Sequence, residues 1–241
     1  MDYLVKPFQL DEVRARVRQA LEKRRLLLDN ARYRLRLEEL VAEQQRRLES
    51  LFLASMQTLA DALEVKDPYT RGHSVRVSRY AAELARALVL PDETVRQIEL
   101  GGHLHDLGKI GVREEVLNKT GPLTNDEYAH VMAHPVIGWR LLHPLMADAP
   151  IALDVVRSHH ERWDGRGVPD ALAGAAIPLA ARVAAVADGL DAMTSHRPYR
   201  RGRTLAEATA EIVRCAGAQY DPSVVEALER GVATGTITLL A

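Results

Sequence analysis

The sequence is poor in cysteine and in aromatic residues. Its 241 residues include a single cysteine, Cys215, and phenylalanine, tryptophan and tyrosine together make up 5%. One cysteine excludes an internal disulfide framework and is consistent with a reducing compartment. Alanine, leucine, valine, glutamate and arginine dominate instead, and no alternating strand pattern persists for long. We therefore predict a mostly α-helical protein.

The chain also lacks a charge excess and a long apolar run. Its 32 Lys and Arg residues oppose 33 Asp and Glu residues, so a phosphate-bearing partner must be held by a local site. The most apolar stretch, IPLAARVAAVADGL, carries Arg182 and Asp188 and is shorter than the about 18 residues of a membrane span. The N-terminus has no signal-like apolar core. We predict a cytoplasmic protein that binds neither membrane nor nucleic acid.

Glycine and proline are both absent from about Asp11 to Leu63, a segment dense in arginine, glutamate and leucine. Such a composition is typical of one long exposed helix. Two apolar blocks with heptad-like spacing, separated by Arg34 and Glu38, comprise Val13, Val17, Ala20, Leu27, Leu37, Val41, Leu48 and Leu51. We predict a parallel coiled coil in a homodimer, weak in its middle. A helix that folds back on its own domain is the alternative.

A compact all-α domain is expected from about Leu51 to Ala241, preceded by a linker helix over residues 27–50. Asp67-Pro68 ends the long helix, because the residue before proline is pushed out of the helical region. Pro91-Asp92 predicts another helix start, and Thr124 with Glu127 forms a capping-box pattern. Helical patterns are SVRVSRYAAELARALV, PDETVRQIELGGHLHDLGK, TNDEYAHVMAHPVIGWRLLH, the stretch from about Ile177 to Ser195, TLAEATAEIVRCAG and PSVVEALERGV.

Histidine and aspartate are grouped in a way that indicates a metal site. The candidates are His73, His103, His105, Asp106, His130, His134, His159, His160, Asp164, Asp188 and Asp191. In GGHLHDLGKIG, His105 and Asp106 are expected at consecutive helical positions, so their side chains point about 100° apart and can bracket an ion. Imidazole with carboxylate suits Fe, Mn or Zn, and the lack of thiolates disfavours a structural zinc site.

Two adjacent metal ions can activate water and clamp the oxygens of a phosphate during in-line attack. Lys109 is expected one helical turn beyond His105 on the same face, where its ammonium can meet that phosphate. The alternative for Lys109 is a solvated lysine at a helix C-terminus. From the residues alone, the sequence indicates a metal-dependent phosphohydrolase.

Several separated motifs lie between about Leu51 and Tyr220, namely TRGHS, HDLGK, the isolated His134, HHERWDGRGVP and IPLAARVAAVADGLDAMTSHRPYR. Together and in this order they resemble the motifs of the HD-GYP domain, a branch of the HD phosphohydrolase superfamily. The resemblance implies an all-helical domain with a centre of two or three iron or manganese ions. It also implies hydrolysis of cyclic di-GMP to linear pGpG or to GMP.

The resemblance implies metal ligands at His73, His105, Asp106, His134, His159, His160 and Asp188. Asp106 takes the place of the bridging carboxylate, and Lys109 takes the place of the residue that contacts the scissile phosphate or the nucleophile. Some members bind a third metal through a glutamate, but that position is Tyr69 here. We therefore expect two divalent ions, Fe or Mn. Histidines outside the family's ligand positions are His103, His130, His143 and His196.

The substrate-binding motifs match the family in part. Arg197 and Arg200 in HRPYRRG correspond to a basic pair that grips the ligand's phosphates, a role that suits the planar guanidinium. The family's Gly-Tyr-Pro is Gly167-Val168-Pro169 here. Glycine and proline still favour the turn, but the ring and its hydroxyl are missing. Loss of a stacking contact of about 1 to 3 kcal/mol weakens binding roughly tenfold to a hundredfold without touching the metals.

Three functions are compatible with this pattern: an active phosphodiesterase with altered affinity or product, a non-catalytic cyclic di-GMP sensor, or a domain used for partner contacts. We favour the enzyme, because every expected metal ligand and Lys109 are present. A nucleic-acid role would rest on YRLRLEELVAEQQRRLE alone, and the interleaved glutamates and balanced net charge oppose it.

The first residues resemble a different family. From about Asp2 to Leu26, MDYLVKPFQLDEVRARV and the residues after it look like the last strand, the Lys-Pro-Phe turn and the last helix of a response-regulator receiver domain. The resemblance implies that the chain is a fragment or truncated reading frame of a two-component response regulator. An upstream receiver would then shift the coiled coil and so open or close the site, and a diguanylate cyclase is among the expected partners.

Overall fold

The computed structural model describes residues 9–64, 72–119, 121–195 and 201–239. Within these ranges the chain forms α-helices and two short 3-10 helices but no β-strand. The α-helices are α1 (Leu10–Glu64), α2 (His73–Ala87), α3 (Asp92–Leu104), α4 (Glu114–Leu117), α5 (Asn125–Val131), α6 (His134–Leu142), α7 (Pro150–Ser158), α8 (Leu179–Thr194), α9 (Leu205–Arg214) and α10 (Pro222–Ala233). The 3-10 helices are Leu107–Gly111 and Gly174–Ala176. The predicted all-α fold is confirmed.

The predicted long N-terminal helix is confirmed as α1, which runs for 55 residues without a break. The chain divides into two compact units after Ala54, and most leucines of α1 before that point are exposed to solvent. The Lys6-Pro7-Phe8 turn and Asp67-Pro68 lie outside the described residues. The division into residues 1–26, 27–50 and 51–241, and the pairing of α1 with a second copy, stay predictions.

The second unit is built around α8, the stretch that is the most apolar in the sequence. A helix that is apolar on most of its circumference is buried on most of it, and α8 packs against α2, α3, α7, α9 and α10. Its many alanines let these neighbours approach closely. Fully buried members of this core are Val77, Leu84, Ile98, Val155, Val183, Val186, Ala187, Leu190, Ile212, Val224 and Leu228. Among the described helices, none has the length and hydropathy needed to span a bilayer.

Local sequence signals set several helix starts. The capping box predicted at Thr124 and Glu127 is present at the start of α5, and a second one, Thr204 with Glu207, starts α9. The stretch from Thr124 to His143 is not one helix, because α5 ends at Val131 and α6 begins at His134. Pro135 occupies the first turn of α6, where its missing N–H is tolerated. The break allows His134 to begin a helix.

Gly108 brings two parts of the site together. A Cβ on Gly108 would overlap the backbone carbonyl of His134 and the amide nitrogen of Gly138. The 3-10 helix Leu107–Gly111 therefore packs with its backbone directly on α6, which only glycine allows. Asp106, just before this 3-10 helix, is thereby held beside His134, the first residue of α6.

Candidate metal centre

The predicted metal ligands come mainly from the ends of helices. His73 begins α2, His134 begins α6, and His159 and His160 directly follow the end of α7. Asp188 alone lies in the middle of a helix, α8. Helix ends converge on one place because α2, α3 and α7 pack on α8, and α6 packs on α7.

The side chains form two groups of three. In one group lie His73, His105 and Asp106, and in the other His134, His159 and His160; within each group one ligand atom from every residue lies within 4.8 Å of the others. Asp106 joins the groups. Its Oδ2 is 3.8 Å from His73 Nε2 and its Oδ1 is 3.3 Å from His134 Nε2. A carboxylate placed in this way can bridge two metal ions.

The expected helical placement of His105 and Asp106 is wrong. Helix α3 ends at Leu104, and the chain tightens into a 3-10 helix at Leu107. Residues three apart eclipse each other in 3-10 geometry. Lys109 therefore lies over Asp106 and not over His105, and its Nζ is 2.6 Å from Asp106 Oδ2.

Hydrogen bonds fix the proton on one nitrogen of three imidazoles. Nδ1 of His105 lies 2.6 Å from the Gly102 carbonyl oxygen, Nδ1 of His134 lies 2.8 Å from that of Val131, and Nδ1 of His159 lies 3.1 Å from that of Val155. A carbonyl oxygen only accepts, so Nδ1 must donate and each neutral ring presents the lone pair of Nε2. This arrangement is typical of metal-ligating histidines.

Two of these lone pairs face each other. The Nε2 atoms of His134 and His159 are 3.2 Å apart, and both rings are buried. Because both Nδ1 atoms carry the proton, neither Nε2 can donate to the other. Two buried acceptors at this distance fit a shared cation, so the donor set suits a metal ion.

The charge states of the groups also suit metal binding. Burial lowers the pKa of His134 to about 4, and burial together with neighbouring imidazoles holds that of His159 well below its ordinary value. Burial opposes the charge of Asp106, but the Lys109 ammonium and nearby imidazoles outweigh it and hold the pKa of Asp106 well below its usual range. Neutral imidazole and ionised carboxylate are the forms that bind metals.

His73 differs from these three histidines because its Nδ1 contacts a side chain. Asp191 Oδ2 lies 2.7 Å away, and Arg76 contacts the same carboxylate. Burial lowers the pKa of His73, but Asp191, Asp188 and Asp106 together outweigh it and raise the pKa. Asp191 was among the grouped aspartates without a role, and Arg76 was missed. Asp188 and Asp191 are three residues apart on one helix and therefore share a face. This spacing was the sequence signal that could have placed Asp191 near the metal ligands.

Two open cavities flank His160 and Asp188. The larger, of about 720 Å³, is lined on its other sides by Tyr128, Tyr220 and Val168, among others. The smaller, of about 680 Å³, is lined by His73 and Asp106 of the first group, by His134 of the second group and by Lys109. Asp188 Oδ1 is 3.4 Å from His73 Nε2. The paired groups are therefore reachable from two sides.

The Gly167-Val168-Pro169 loop keeps a defined backbone without a tyrosine. The Val168 N–H donates to the His160 carbonyl at 3.2 Å. The buried Glu161 carboxylate accepts from the amides of Asp170 at 2.7 Å and Leu172 at 3.0 Å. A Cβ on Gly167 would overlap the backbone of Glu161 and Arg162. These contacts hold the loop from behind and leave position 168 facing the larger cavity.

The remaining predicted residues lie elsewhere or outside the described part of the chain. His130 Nε2 accepts from the backbone N–H of Arg113, and His143 stacks on Trp139 with ring centroids 4.6 Å apart. His103 belongs to neither group of three among the described residues. The substrate-binding Arg197 and Arg200, as well as His196 and Tyr69, lie outside the described residues.

The fold and the histidine and aspartate groups define an HD domain. Residues 57–224 match the family described as "HD domain", and the chain belongs to this family. HD phosphohydrolases are metal-dependent, and the two groups offer the ligand atoms that such a centre needs.

Particular relatives extend the likeness. The chain is 40% identical over 236 residues to the cyclic di-GMP phosphodiesterase response regulator RpfG of Xanthomonas campestris pv. campestris, covering 96% of this chain and 61% of that protein. It is 44% identical over 170 residues to a cyclic di-GMP phosphodiesterase of Pseudomonas aeruginosa, covering 70% and 41%. The chain thus spans less than two thirds of the length of these relatives. A cyclic GMP-AMP specific phosphodiesterase of Vibrio cholerae shares the fold, with a TM-score of 0.61 at 20% identity over 76% of this chain and 49% of that one.

Proposed function

We propose that the chain is a metal-dependent cyclic di-GMP phosphodiesterase that produces pGpG or GMP, and that it serves as the output part of a two-component response regulator. The observation that carries this proposal is the pair of three-ligand groups that meet at Asp106. Relatives named as cyclic di-GMP phosphodiesterases support the choice of substrate.

In this proposal His73, His105 and Asp106 hold one divalent ion and the other three histidines hold a second, with Asp188 beside the first group. The ligand set suits Fe or Mn. When bound, the two ions activate water and polarise the phosphate oxygens. The chain's own contribution is geometric: carbonyl contacts at Nδ1 leave the Nε2 lone pairs available to bind an ion, and burial favours the neutral forms of His134 and His159.

Lys109 supplies a positive charge at the place where the phosphodiester would react. Its ammonium lies beside Asp106 and lines the smaller cavity together with His73. A fixed cation stabilises the negative charge that develops on phosphate oxygens in the transition state. We therefore assign Lys109 to contact with the scissile phosphate and Asp106 to the bridge between the ions.

The two cavities suit a substrate with two nucleotide halves. The larger cavity offers Tyr128 and Tyr220 as ring surfaces and, at the missing tyrosine, Val168. Gly167 and Pro169 keep the loop in place behind it, and we propose that this loop borders the bound nucleotide. Arg197 and Arg200 remain the proposed phosphate contacts, by resemblance.

The test is product formation from cyclic di-GMP by protein purified without oxygen and loaded with Mn²⁺ or Fe²⁺. We expect pGpG or GMP by chromatography, and loss of product in His105→Ala and Asp106→Ala. His143→Ala is the matched control, because His143 is an exposed histidine outside both groups, and its activity should be unchanged.

A second candidate function is a cyclic di-GMP sensor, and Val168 is the residue that favours it. Val168 lines the larger cavity and contacts His160 through the backbone carbonyl of that residue, so binding without turnover is compatible with an intact metal centre. Metal-loaded protein that binds the dinucleotide and releases no product would replace the enzyme with the sensor.

We also propose that α1 pairs with a second copy of the chain. In the part of α1 that precedes Ala54, leucines and valines are exposed, including Val17, Leu27, Leu37, Val41 and Leu48. Apolar side chains at heptad-like spacing favour a coiled coil. Removing residues 1–50 should convert a dimer into a monomer in light scattering. An unchanged mass would contradict the coiled coil.

A further inference from the structure

We propose that the ion pair between Arg76 and the buried Asp191 positions His73 and sets the metal affinity of the group that contains His73, His105 and Asp106. This inference rests on the proposed metal binding. Neither Arg76 nor Asp191 belongs to the ligand groups. Their role is to act through His73.

The contacts around Asp191 are dense and mutually supporting. The residue is 1% exposed, and its Oδ2 lies 2.7 Å from His73 Nδ1. Arg76 donates from Nε to Asp191 Oδ1 at 2.6 Å and from a terminal nitrogen to Oδ2 at 3.1 Å. Ser195 Oγ donates to Oδ2 at 3.2 Å. A buried carboxylate with this many donors is held in one orientation.

His73 needs an anchor from elsewhere because of its place in the chain. The rings of His105, His134 and His159 are held by carbonyls three or four residues earlier, in the preceding turn. His73 is the first residue of α2 and follows Gly72, which has a positive φ of 70°. Helix α2 itself therefore offers no earlier turn whose carbonyl could accept from Nδ1. Asp191, 118 residues later in the sequence, takes that role.

At His73 the group that accepts from Nδ1 is a carboxylate, whereas at His105, His134 and His159 it is a backbone carbonyl. This difference changes the chemistry of His73 as a metal ligand. A carboxylate that accepts from Nδ1–H fixes the tautomer and also makes Nε2 a stronger donor to the metal. Arg76 keeps this carboxylate charged and correctly turned in a buried place, where an unpaired charge would be costly. The first group therefore depends on a contact between α2 and α8 that the second group does not use.

The first experiment measures Mn²⁺ binding to the full chain by calorimetric titration and metal content by elemental analysis. Wild type is expected to bind two ions. Asp191→Asn keeps the size and one acceptor oxygen but removes the charge, and we expect one site to weaken by about 10- to 100-fold while the other is retained. Two unchanged sites in Asp191→Asn would overturn the inference.

Asp221→Asn is the matched control. Asp221 is also a buried aspartate paired with an arginine, Arg182, but it caps the start of α10 and contacts no residue of the two groups. This variant should lose thermal stability while binding both ions as wild type does. If Asp221→Asn weakens one site as strongly as Asp191→Asn, the effect is general destabilisation and the inference fails.

A double-mutant cycle separates positioning from any other role. His73→Ala alone is expected to remove the first site, and Asp191→Asn in that background should then change the remaining affinity by less than twofold, because the pair acts through His73. A further large loss in the double variant would overturn the inference. Arg76→Lys, which keeps the charge and loses the two-pronged contact, tests the same site if Asp191→Asn does not fold, and unchanged binding there would also count against it.

The proposed function and this inference fail in different ways. If the wild-type chain binds no Mn²⁺, the proposed function fails first. If it binds two ions and hydrolyses cyclic di-GMP while Asp191→Asn and Arg76→Lys bind both ions normally, only the positioning role is wrong. In metal-free protein, nitrogen NMR of His73 should show a single Nδ1–H tautomer that is lost in Asp191→Ala.

Discussion

The exposed part of α1 and the compact unit that follows it are both rich in leucine, but the leucines are exposed in the first and many are buried in the second. Leu27 in α1 is 63% exposed, whereas Leu84 in α2 is completely buried. Helix α1 is long enough to form on propensity alone, while α4 and α5, with four and seven residues, are far below the length that is stable in isolation. Helix formation and burial are therefore decided separately, by local propensity in α1 and by packing in the compact unit.

The comparison extends to function. No ligand group is found in α1, and the two groups described above assemble only where short helices end against one another. A long continuous helix offers few free ends and cannot converge on a point. The compact unit thus holds the candidate chemistry, and the described part of the first unit offers exposed apolar side chains.

The largest expected contrast is between leucines in the two regions. Leu84→Ala should lower the free energy of unfolding by about 2 to 5 kcal/mol, because it leaves a cavity in a closely packed core. Leu27→Ala should change it by less than about 0.5 kcal/mol, as for exposed positions in general. Urea unfolding of both variants, followed by tryptophan fluorescence, makes the comparison. Equal losses would mean that α1 is part of the same cooperative core.

Acid should destabilise the compact unit in the absence of metal. The pKa of His134 is lowered to about 4 by burial, and those of His159 and His160 are lowered as well. Their stabilising effect is complete above the unfolded pKa of about 6.5 and is lost as the pH falls toward 4, an effect of roughly 3 kcal/mol for His134. The raised pKa of His73 acts in the opposite sense, since its contribution is present below pH 6.5.

Three lowered pKa values against one raised value predict a net fall of the melting temperature between pH 6.5 and 4. The measurement is thermal unfolding with a chelator present. His134→Ala should show a weaker dependence on pH than wild type. A melting temperature that rises toward pH 4 would contradict the assignment of neutral buried imidazoles.

A smaller effect is expected at position 168, within the compact unit. Val168→Tyr restores a ring beside the larger cavity, and stacking is worth about 1 to 3 kcal/mol, so affinity for cyclic di-GMP should rise roughly tenfold to a hundredfold. The loop backbone is held by Glu161 and His160, so its shape should persist. Unchanged affinity and turnover would show that the missing tyrosine explains nothing about this protein.

The smallest effect is expected for ion pairs on α1. Arg36 and Glu39 are 3.3 Å apart, and both side chains are 70% exposed. Such a pair contributes less than about 0.5 kcal/mol and is screened by salt. Arg36→Ala should leave urea unfolding unchanged at 0.15 M salt. A loss above 1 kcal/mol would indicate that this surface of α1 is buried in an assembly.

Local sequence signals predicted much of the fold. The absence of glycine and proline predicted α1 to within a residue of either end, and the capping box predicted the start of α5. Helix α7 was missed, because its nine residues give too short a pattern to stand out. The change from α-helix to 3-10 helix after Leu104 was also missed, because it depends on the packing of Gly108 against α6.

The candidate site was predictable as a set of residues and not as a geometry. Motif resemblance named the histidines and aspartates, and the structure brings six of them into two groups. The contact of Asp191 with His73 joins residues 118 apart in sequence, and no local pattern indicates which distant carboxylate meets which ring. Such contacts are fixed by the packing of α2 on α8. That packing depends on many core residues together, and no local sequence pattern indicates it.

If His134 and His159 bind a metal ion through their facing nitrogens, as we propose, the supply of that metal determines how long the folded chain persists. A ligand that binds only the native state stabilises it by mass action, by about 2.7 kcal/mol at a hundred times its dissociation constant. An ion held by these two residues would link the start of α6 to the end of α7 and would offset the repulsion between their facing lone pairs. Resistance to proteolysis should then track the free concentration of the metal in the surrounding medium.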